Sequence, residues 1–166
     1  DNTVRIVGQM GVEPLTGALE AGADVVVAGR AYDPSVFAAP LVKAGFNMGL
    51  AIHMGKILEC GAIAAIPGSG SDCLMGCLGE EYFEVWPLNP VRCCTVTSVA
   101  AHTLYEKTNP LLLPGPGGYL DLKEAKFTQV SENRVRVTGS KFIPSDRYTA
   151  KLEGVKKAGY RTVSIA

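Results

Sequence analysis

The sequence predicts a mixed α/β fold, in which a βαβ-type layered half is followed by an α+β half with antiparallel strands. Three observations carry this. Two short apolar runs, residues 4–7 and 24–28, are separated by a helical stretch; Asp33-Pro34 starts a second helix; and beyond Tyr119 apolar and polar residues alternate with period two.

Each element has a local reason. Val4-Arg5-Ile6-Val7 is β-branched and extended, and Gly8-Gln9-Met10-Gly11 ends it. Glu13-Pro14 opens a helix through Ala21, and Gly22 closes it at the position where a left-handed residue fits. Residues 24–28, Asp-Val-Val-Val-Ala, read as a strand apolar on both faces, as in a parallel sheet covered by helices. Asp33 is the expected N-cap of a helix over 34–44, with Pro34 at its first position. Residues 50–65 form a third, longer helix, apolar around most of its circumference and therefore buried. Residues 67–79, rich in Gly and Ser, break the rhythm as a hinge or loop. A strand follows over 82–86, Asn89-Pro90 turns the chain, and 95–107 is an amphipathic helix with Val96, Val99, Ala100, Thr103 and Leu104 on one side and His102 projecting away, toward solvent or an interface. Pro114 to Gly118 reads as a turn, and strands are expected over 119–122, 127–130, 134–138, 148–152 and 161–165, with Ser131-Glu132-Asn133 as a hairpin turn. The division that results is an α/β half over 1–66, a connection over 67–81 and an α+β half over 82–166.

Composition limits the function. The 166 residues carry 16 basic and 16 acidic side chains, so the formal charge is zero. With no Lys/Arg run, nucleic acid and anionic membrane are excluded as main partners, because both need a basic footprint. No apolar run reaches the ~18 residues of a membrane span. The five cysteines, Cys60, Cys73, Cys77, Cys93 and Cys94, are odd in number and lack both disulfide-framework and CxxC spacing, which points to a reducing cytoplasm and to no metal site. The chain starts without Met, shows no signal-peptide pattern and ends within a strand-like alternation, and so reads as a piece of a longer polypeptide. Contacts with the rest of that polypeptide, or a homo-oligomer, are expected.

Ligands of open α/β sheets gather at the carboxyl ends of strands. Gly8, Gln9 and Gly11 form one such loop; Gly29, Arg30, Tyr32 and Asp33 form the other. Arg30 suits a carboxylate or phosphate, or else pairs with Asp33 or Asp24 to tie the loop down. On the third helix, at ~100° per residue, His53, Lys56 and Cys60 fall within about 60° of one another, with Glu59 roughly 60° beyond Lys56. This polar stripe reads either as an acid/base set, with Lys56 for a carbonyl or carboxylate and Glu59 or His53 for proton transfer, or as a solvated face with a Lys56–Glu59 surface pair. Gly68, Ser69, Gly70 and Asp72 lie in a stretch that resembles an anion-cradling nest, although it lacks the Lys-Ser/Thr ending of a P-loop; a flexible linker is the other reading. No cofactor is identified by these residues.

Residues 22–33 (Gly-Ala-Asp-Val-Val-Val-Ala-Gly-Arg-Ala-Tyr-Asp), 58–62 (Leu-Glu-Cys-Gly-Ala), 98–106 and 134–139, taken in order, resemble the acyclic terpene utilisation, or AtuA-like, family. The similarity runs over essentially the whole chain and corresponds to the later part of that family's domain. By matching positions it points to Asp24, Gly29, Arg30, Asp33, Glu59, Cys60 and Gly61. Longer relatives carry extra residues between the Glu59-Cys60-Gly61 segment and the next strand. The resemblance implies cytosolic small-molecule metabolism, in the setting of branched acyclic terpenoid and carboxylic acid catabolism, and supplies no mechanism. The residues supply the rest of the expectation: Arg30 and the glycine-rich loops hold a small branched carboxylate or acyl-CoA, and Lys56, Glu59 or His53 transfer protons in lyase, hydratase or hydrolase chemistry. The other class left open is a non-catalytic ligand-binding or subunit-assembly domain.

Overall fold

One helix organises the interior. In the computed structural model, which describes residues 2–105, 108–160 and 163, helix α3 (Met48–Leu58) is buried at every position from Gly49 to Ile57. Asn47 caps it, its Oδ1 accepting from the Leu50 N–H at 3.1 Å. Leu50, Met54 and Ile57 recur at i, i+4 and i+7, and pack with Phe83, Val85, Val99, Val135 and Val137. Ala51 and Ile52, turned to the other side, pack with Val12, Tyr32, Ala38, Leu113, Leu120 and Leu122. A helix that is apolar all round is thereby covered all round.

Among the described residues there are four helices and nine strands in three antiparallel sheets, so the fold is mixed α/β. The chain runs β1 (Thr3–Gln9), α1 (Glu13–Glu20), α2 (Asp33–Lys43), α3, a 3-10 turn (Gly61–Ala64), β2 (Leu74–Leu78), β3 (Tyr82–Pro87), α4 (Val96–Thr103), β4 (Leu112–Gly115), β5 (Gly118–Asp121), β6 (Lys126–Ser131), β7 (Arg134–Thr138), β8 (Lys141–Pro144) and β9 (Lys151–Lys156). The sheet orders are β1-β9, β2-β3-β7-β6 and β4-β5-β8. In the second sheet Phe83 faces Val137 and Val85 faces Val135, which puts all four side chains on the face that α3 covers. Arg134 and Arg136 alternate with those valines and hold the Glu84 carboxylate on the other face.

Close backbone approach sets the α2–α3 crossing. A Cβ on Gly55 would lie 2.5 Å from the Pro34 carbonyl oxygen, where nothing flexible can yield. Gly55→Ala is therefore expected to destabilise the protein by about 1–3 kcal/mol through overpacking; an unchanged urea midpoint would show that the crossing relaxes freely.

Several expectations are corrected. Residues 24–28 form no strand: Val25 and Val27 are 79% and 91% exposed, and β1 pairs antiparallel with β9 instead of parallel with them. Among the described residues, parallel pairing in this region is limited to a single bridge between Met10 and Ala31. A β-branched run makes a strand only if a ladder partner reaches it. The third helix ends at Leu58 and not at residue 65, because Gly61 takes a left-handed turn (φ 65°) and the chain re-enters as a 3-10 turn. The expected loop over 67–79 contains β2, paired with β3, with Gly76 fitting beneath Met54. Asp33 is the first helical residue of α2 and makes no capping bond; Tyr32 occupies the cap position. Thr95 caps α4 in a reciprocal box with Ser98, and α4 ends at Thr103. His102 is 5% exposed, turned inward and not to solvent. Strands β4 and β8 had no expectation, β9 starts three residues after the expected strand at 148, and the strand expected over 161–165 lies, Val163 apart, outside the described residues.

Candidate functional site

The polar stripe of α3 divides into two environments. His53 is fully buried between Phe83 and Phe127, whose rings stand edge-on at 5.2 and 5.9 Å. Its Nδ1 lies 2.7 Å from Ser140 Oγ and its Nε2 3.0 Å from Thr103 Oγ1. Since the Thr103 hydroxyl donates to the Val99 carbonyl at 3.0 Å, it must accept from Nε2–H, which leaves Nδ1 to accept from Ser140. Burial, with the Lys56 charge adding to it, pushes the imidazole down to about 3. Both nitrogens are thus committed, and His53 ties α3 to α4 and to the segment before β8.

Lys56 and Glu59 form the second environment. Lys56 is 2% exposed and its ammonium meets Glu59 Oε1 at 2.7 Å, so the pair is buried and not the surface pair of the alternative reading. The same ammonium lies 5.6 Å from the centre of the Tyr105 ring. Tyr105 stacks on His102 at 5.6 Å with 12° between planes. Among the described residues His102 Nε2 is buried without a hydrogen-bond partner, and burial, reinforced by the Lys56 charge, lowers its basicity. A cleft of about 370 Å³ opens against this group, lined by Ile63, Ser98, Ala101, His102, Leu104 and Tyr105. Sequence reading missed His102 and Tyr105, since a helix end three and six residues past Val99 reads as ordinary amphipathic pattern.

The strand-end loops are placed otherwise than expected. Arg30 is committed to carboxylates, its Nη2 donating to Glu153 Oε1 at 3.1 Å and lying 3.9 Å from Asp33. Glu153 comes from β9, which no spacing argument from the N-terminal half reveals. Tyr32 is buried beneath Gly115, and burial, followed by the charges of Glu59 and Asp33, raises its hydroxyl pKa. Gly11 packs against Glu13 and Tyr148, whose hydroxyl donates to Glu13. Gly8 lies against Leu152, whereas Gly29 faces open space. Gln9 is 1% exposed, and neither its Oε1 nor its Nε2 has a partner among the described residues.

The stretch holding Gly68, Ser69, Gly70 and Asp72 is a clasp. Asp72 accepts from Arg92 Nε and Asn89 Nδ2, each at 2.8 Å, and from the Cys73 N–H at 2.9 Å. The Arg92 bond first, then those of Asn89 and Cys73, hold its carboxyl down to about 2. Arg92 also donates to the Pro67 carbonyl, and the Ser69 and Ser71 N–H groups are taken by Ala62 O and Ser69 Oγ. The Ser69, Ser71 and Cys73 amides are therefore already used within the clasp, and the Asp72 carboxylate sits where a nest would seat its anion. Among the described residues no group of three or more His, Cys, Asp or Glu side chains is arranged to hold a metal, and all five thiols are free. No described helix is long and apolar enough to cross a membrane.

A larger groove, about 570 Å³, lies between the β4–β5 hairpin and the start of β9, with Lys151 at its rim. No curated protein and no solved structure matches the chain. The family model described as acyclic terpene utilisation family protein AtuA matches residues 1–67 and 89–165; between them it passes over residues 68–88, which carry Asp72 of the clasp, β2 and β3. The matched segments carry α3, the Lys56–Glu59 pair, His102, Tyr105 and both strand-end loops, and the chain belongs to the acyclic terpene utilisation (AtuA) family.

Proposed function

We propose that the protein is part of a cytoplasmic catabolic enzyme acting on a small branched carboxylic acid or its acyl-CoA thioester, with Lys56 and Glu59 as its proton-transfer pair. Family membership supports the terpene-utilisation setting. The observation that carries the chemistry is the pair itself: an ammonium 2% exposed, 2.7 Å from a carboxylate, near the end of a largely apolar helix and 5.6 Å from the centre of the Tyr105 ring, which lines a cleft. Such a pair costs desolvation and adds little net stability, so its position beside a cavity favours a role in reaction. Glu59, acting as base, takes a proton from carbon next to a carbonyl, and the Lys56 ammonium stabilises the charge that moves onto the carbonyl oxygen. His102, neutral at pH 7, orients the carboxyl or thioester through its unpartnered Nε2. On a 3-hydroxy substrate the electron pair then forms the C=C bond and expels the β-hydroxyl, which takes the proton from Glu59 and leaves as water; this is a lyase (dehydration) step, and its reverse is hydration.

Glu59→Gln keeps an oxygen for Lys56 but removes the base. Turnover of 3-hydroxydimethyloctanoyl-CoA is expected to fall about 100-fold or more; because the neutral amide leaves the Lys56 charge unmatched, the comparison is made at a temperature where circular dichroism shows the variant folded. Wild-type turnover in this variant would remove the assignment.

A second reading, a subunit-assembly domain that pairs with another copy of itself, is favoured by one observation. Ile6 and Leu152, 63% and 68% exposed, share one face of the β1–β9 sheet, and Val4 on β1 is 69% exposed. It predicts a stable dimer by sedimentation and no thermal shift with carboxylates or acyl-CoAs; a shift proportional to ligand excess supports the enzyme instead.

A further inference from the structure

We propose that the groove between the β4–β5 hairpin and β9 binds the carboxylate end of an apolar ligand, with Lys151 as its cation and Gln9 as a second donor behind it. At about 570 Å³ the groove is of the size that encloses a small molecule. Leu112 and Pro114 give it apolar wall; Tyr119, Ser145 and Thr149 give it hydroxyls; and among the described residues lining it Lys151 is the one charged side chain. A lining with one cation, several hydroxyls and no carboxylate selects a singly charged anion with an aliphatic body. Among the described residues Lys151 has no carboxylate partner: its ammonium lies 5.8 Å from the Tyr32 ring, a weak contact that a ligand anion readily replaces.

Gln9 supplies the independent observation. In the β1–β9 ladder Gln9 is directly opposite Lys151, and directly opposed residues project from the same face of a sheet. On that face the Gln9 amide is 1% exposed with both polar atoms unpartnered. Buried amides are almost always hydrogen-bonded, because an unmet donor and acceptor cost free energy that a leucine would not. Gln9 does not line the groove but lies behind Lys151, and a ligand carboxylate oxygen there accepts from the Lys151 ammonium and from the Gln9 Nε2–H.

The aliphatic body of the probe rests on the proposed function. The selectivity for a carboxylate at this groove does not, because it is read by binding and not by turnover. Isothermal titration of the protein with dimethyloctanoate, its methyl ester and its CoA thioester is the experiment. The free acid is expected to bind, the methyl ester at least tenfold more weakly, and Lys151→Met to weaken the acid at least tenfold, with Lys151→Arg retaining most of the affinity. Gln9→Leu is expected to weaken the acid several-fold while melting no lower than wild type, which separates a ligand role from a structural one. Equal binding of acid and ester, or undiminished binding by Lys151→Met, overturns the proposal. So does binding of the thioester without the free acid, which assigns the anion to phosphate, or no binding at all. If Lys151→Met loses the acid while Glu59→Gln keeps full turnover, the catalytic pair fails and the groove stands; if Lys151→Met binds the acid as wild type does while Glu59→Gln loses turnover, the groove fails and the catalytic pair stands.

Discussion

Glu59→Ala is expected to cost about 3–5 kcal/mol, because it strands an ammonium that is 2% exposed in an apolar interior. For a chain of this size that is a fall in melting temperature of roughly 10 °C or more. The partner contact that remains, Tyr105 at 5.6 Å, is a ring face, and it does not replace a carboxylate at 2.7 Å. Removing both charges has the opposite sign of expectation. Lys56→Met with Glu59→Leu fills similar volume with apolar groups, and replacement of a buried ion pair in this way is neutral or stabilising. Urea midpoints of the two single variants and the double variant form the cycle. If Glu59→Ala unfolds at the wild-type midpoint, Lys56 escapes to water without its partner, and the case for a buried acid/base pair is lost. If the double variant stays as unstable as Glu59→Ala, the pair contributes to the fold directly.

The burial of the third helix was legible in the sequence from its apolar circumference, but the sequence leaves Lys56 open between an acid/base stripe and a solvated face, and the structure decides for burial. The fold around the helix was only partly legible. Local signals placed β1, α1, α2, α3, β3 and the β6–β7 hairpin, because each depends on neighbours within a few residues: Pro14 and Pro34 at helix starts, Gly22 at a helix end, Ser131 to Asn133 at a turn. What failed was pairing. The same β-branched character that makes β1 a strand fails at Val25 to Val27, because β9, more than a hundred residues away, arrives beside β1. Periodicity carries no record of which strand arrives. Strand β2 was missed for a different reason: its Gly76 looks like a loop residue but is needed for close approach to Met54 and Leu58.

The candidate site divides along the same line. Lys56 and Glu59 are three apart on one helix, so their meeting follows from helical geometry alone. The residues that give the pair a setting, His102 and Tyr105, come from α4 and its end, and those that engage the N-terminal loops, Lys151 and Glu153, come from β9. The Gly/Ser stretch misled because composition gives amides without showing whether they are spent. The Ser69, Ser71 and Cys73 amides are spent locally on Ala62 O, Ser69 Oγ and Asp72 Oδ1, while Asn89 and Arg92 donate to the Asp72 carboxylate, in a clasp between the end of the 3-10 turn and the turn after β3.

Acidification is expected to destabilise the fold through His53, and the direction follows from its environment. In the folded protein burial, aided by the Lys56 charge, holds the imidazole down to about 3, while in the unfolded chain it titrates near 6.5. Between these values the unfolded state binds a proton that the folded state refuses, so stability is complete above about pH 6.5 and is lost as pH falls. Each pH unit in that window costs about 1.4 kcal/mol, or on the order of 3 kcal/mol by pH 4. His102, lowered for the same cause, acts in the same direction, and Asp72, held low by its hydrogen bonds, adds its loss at the acid end of the window. The His53 share is isolated by comparison with His53→Gln. That variant is less stable at pH 7, where it gives up bonds to Ser140 and Thr103, but it has no proton to take up. The stability gap between wild type and variant, measured by urea unfolding at pH 7 and pH 4, should therefore shrink by about 3 kcal/mol on acidification. A constant gap would mean that His53 is protonated in the fold and reachable from water. In that event it rejoins Lys56 and Glu59 as a proton carrier; a shrinking gap confines proton transfer to the pair at the cleft.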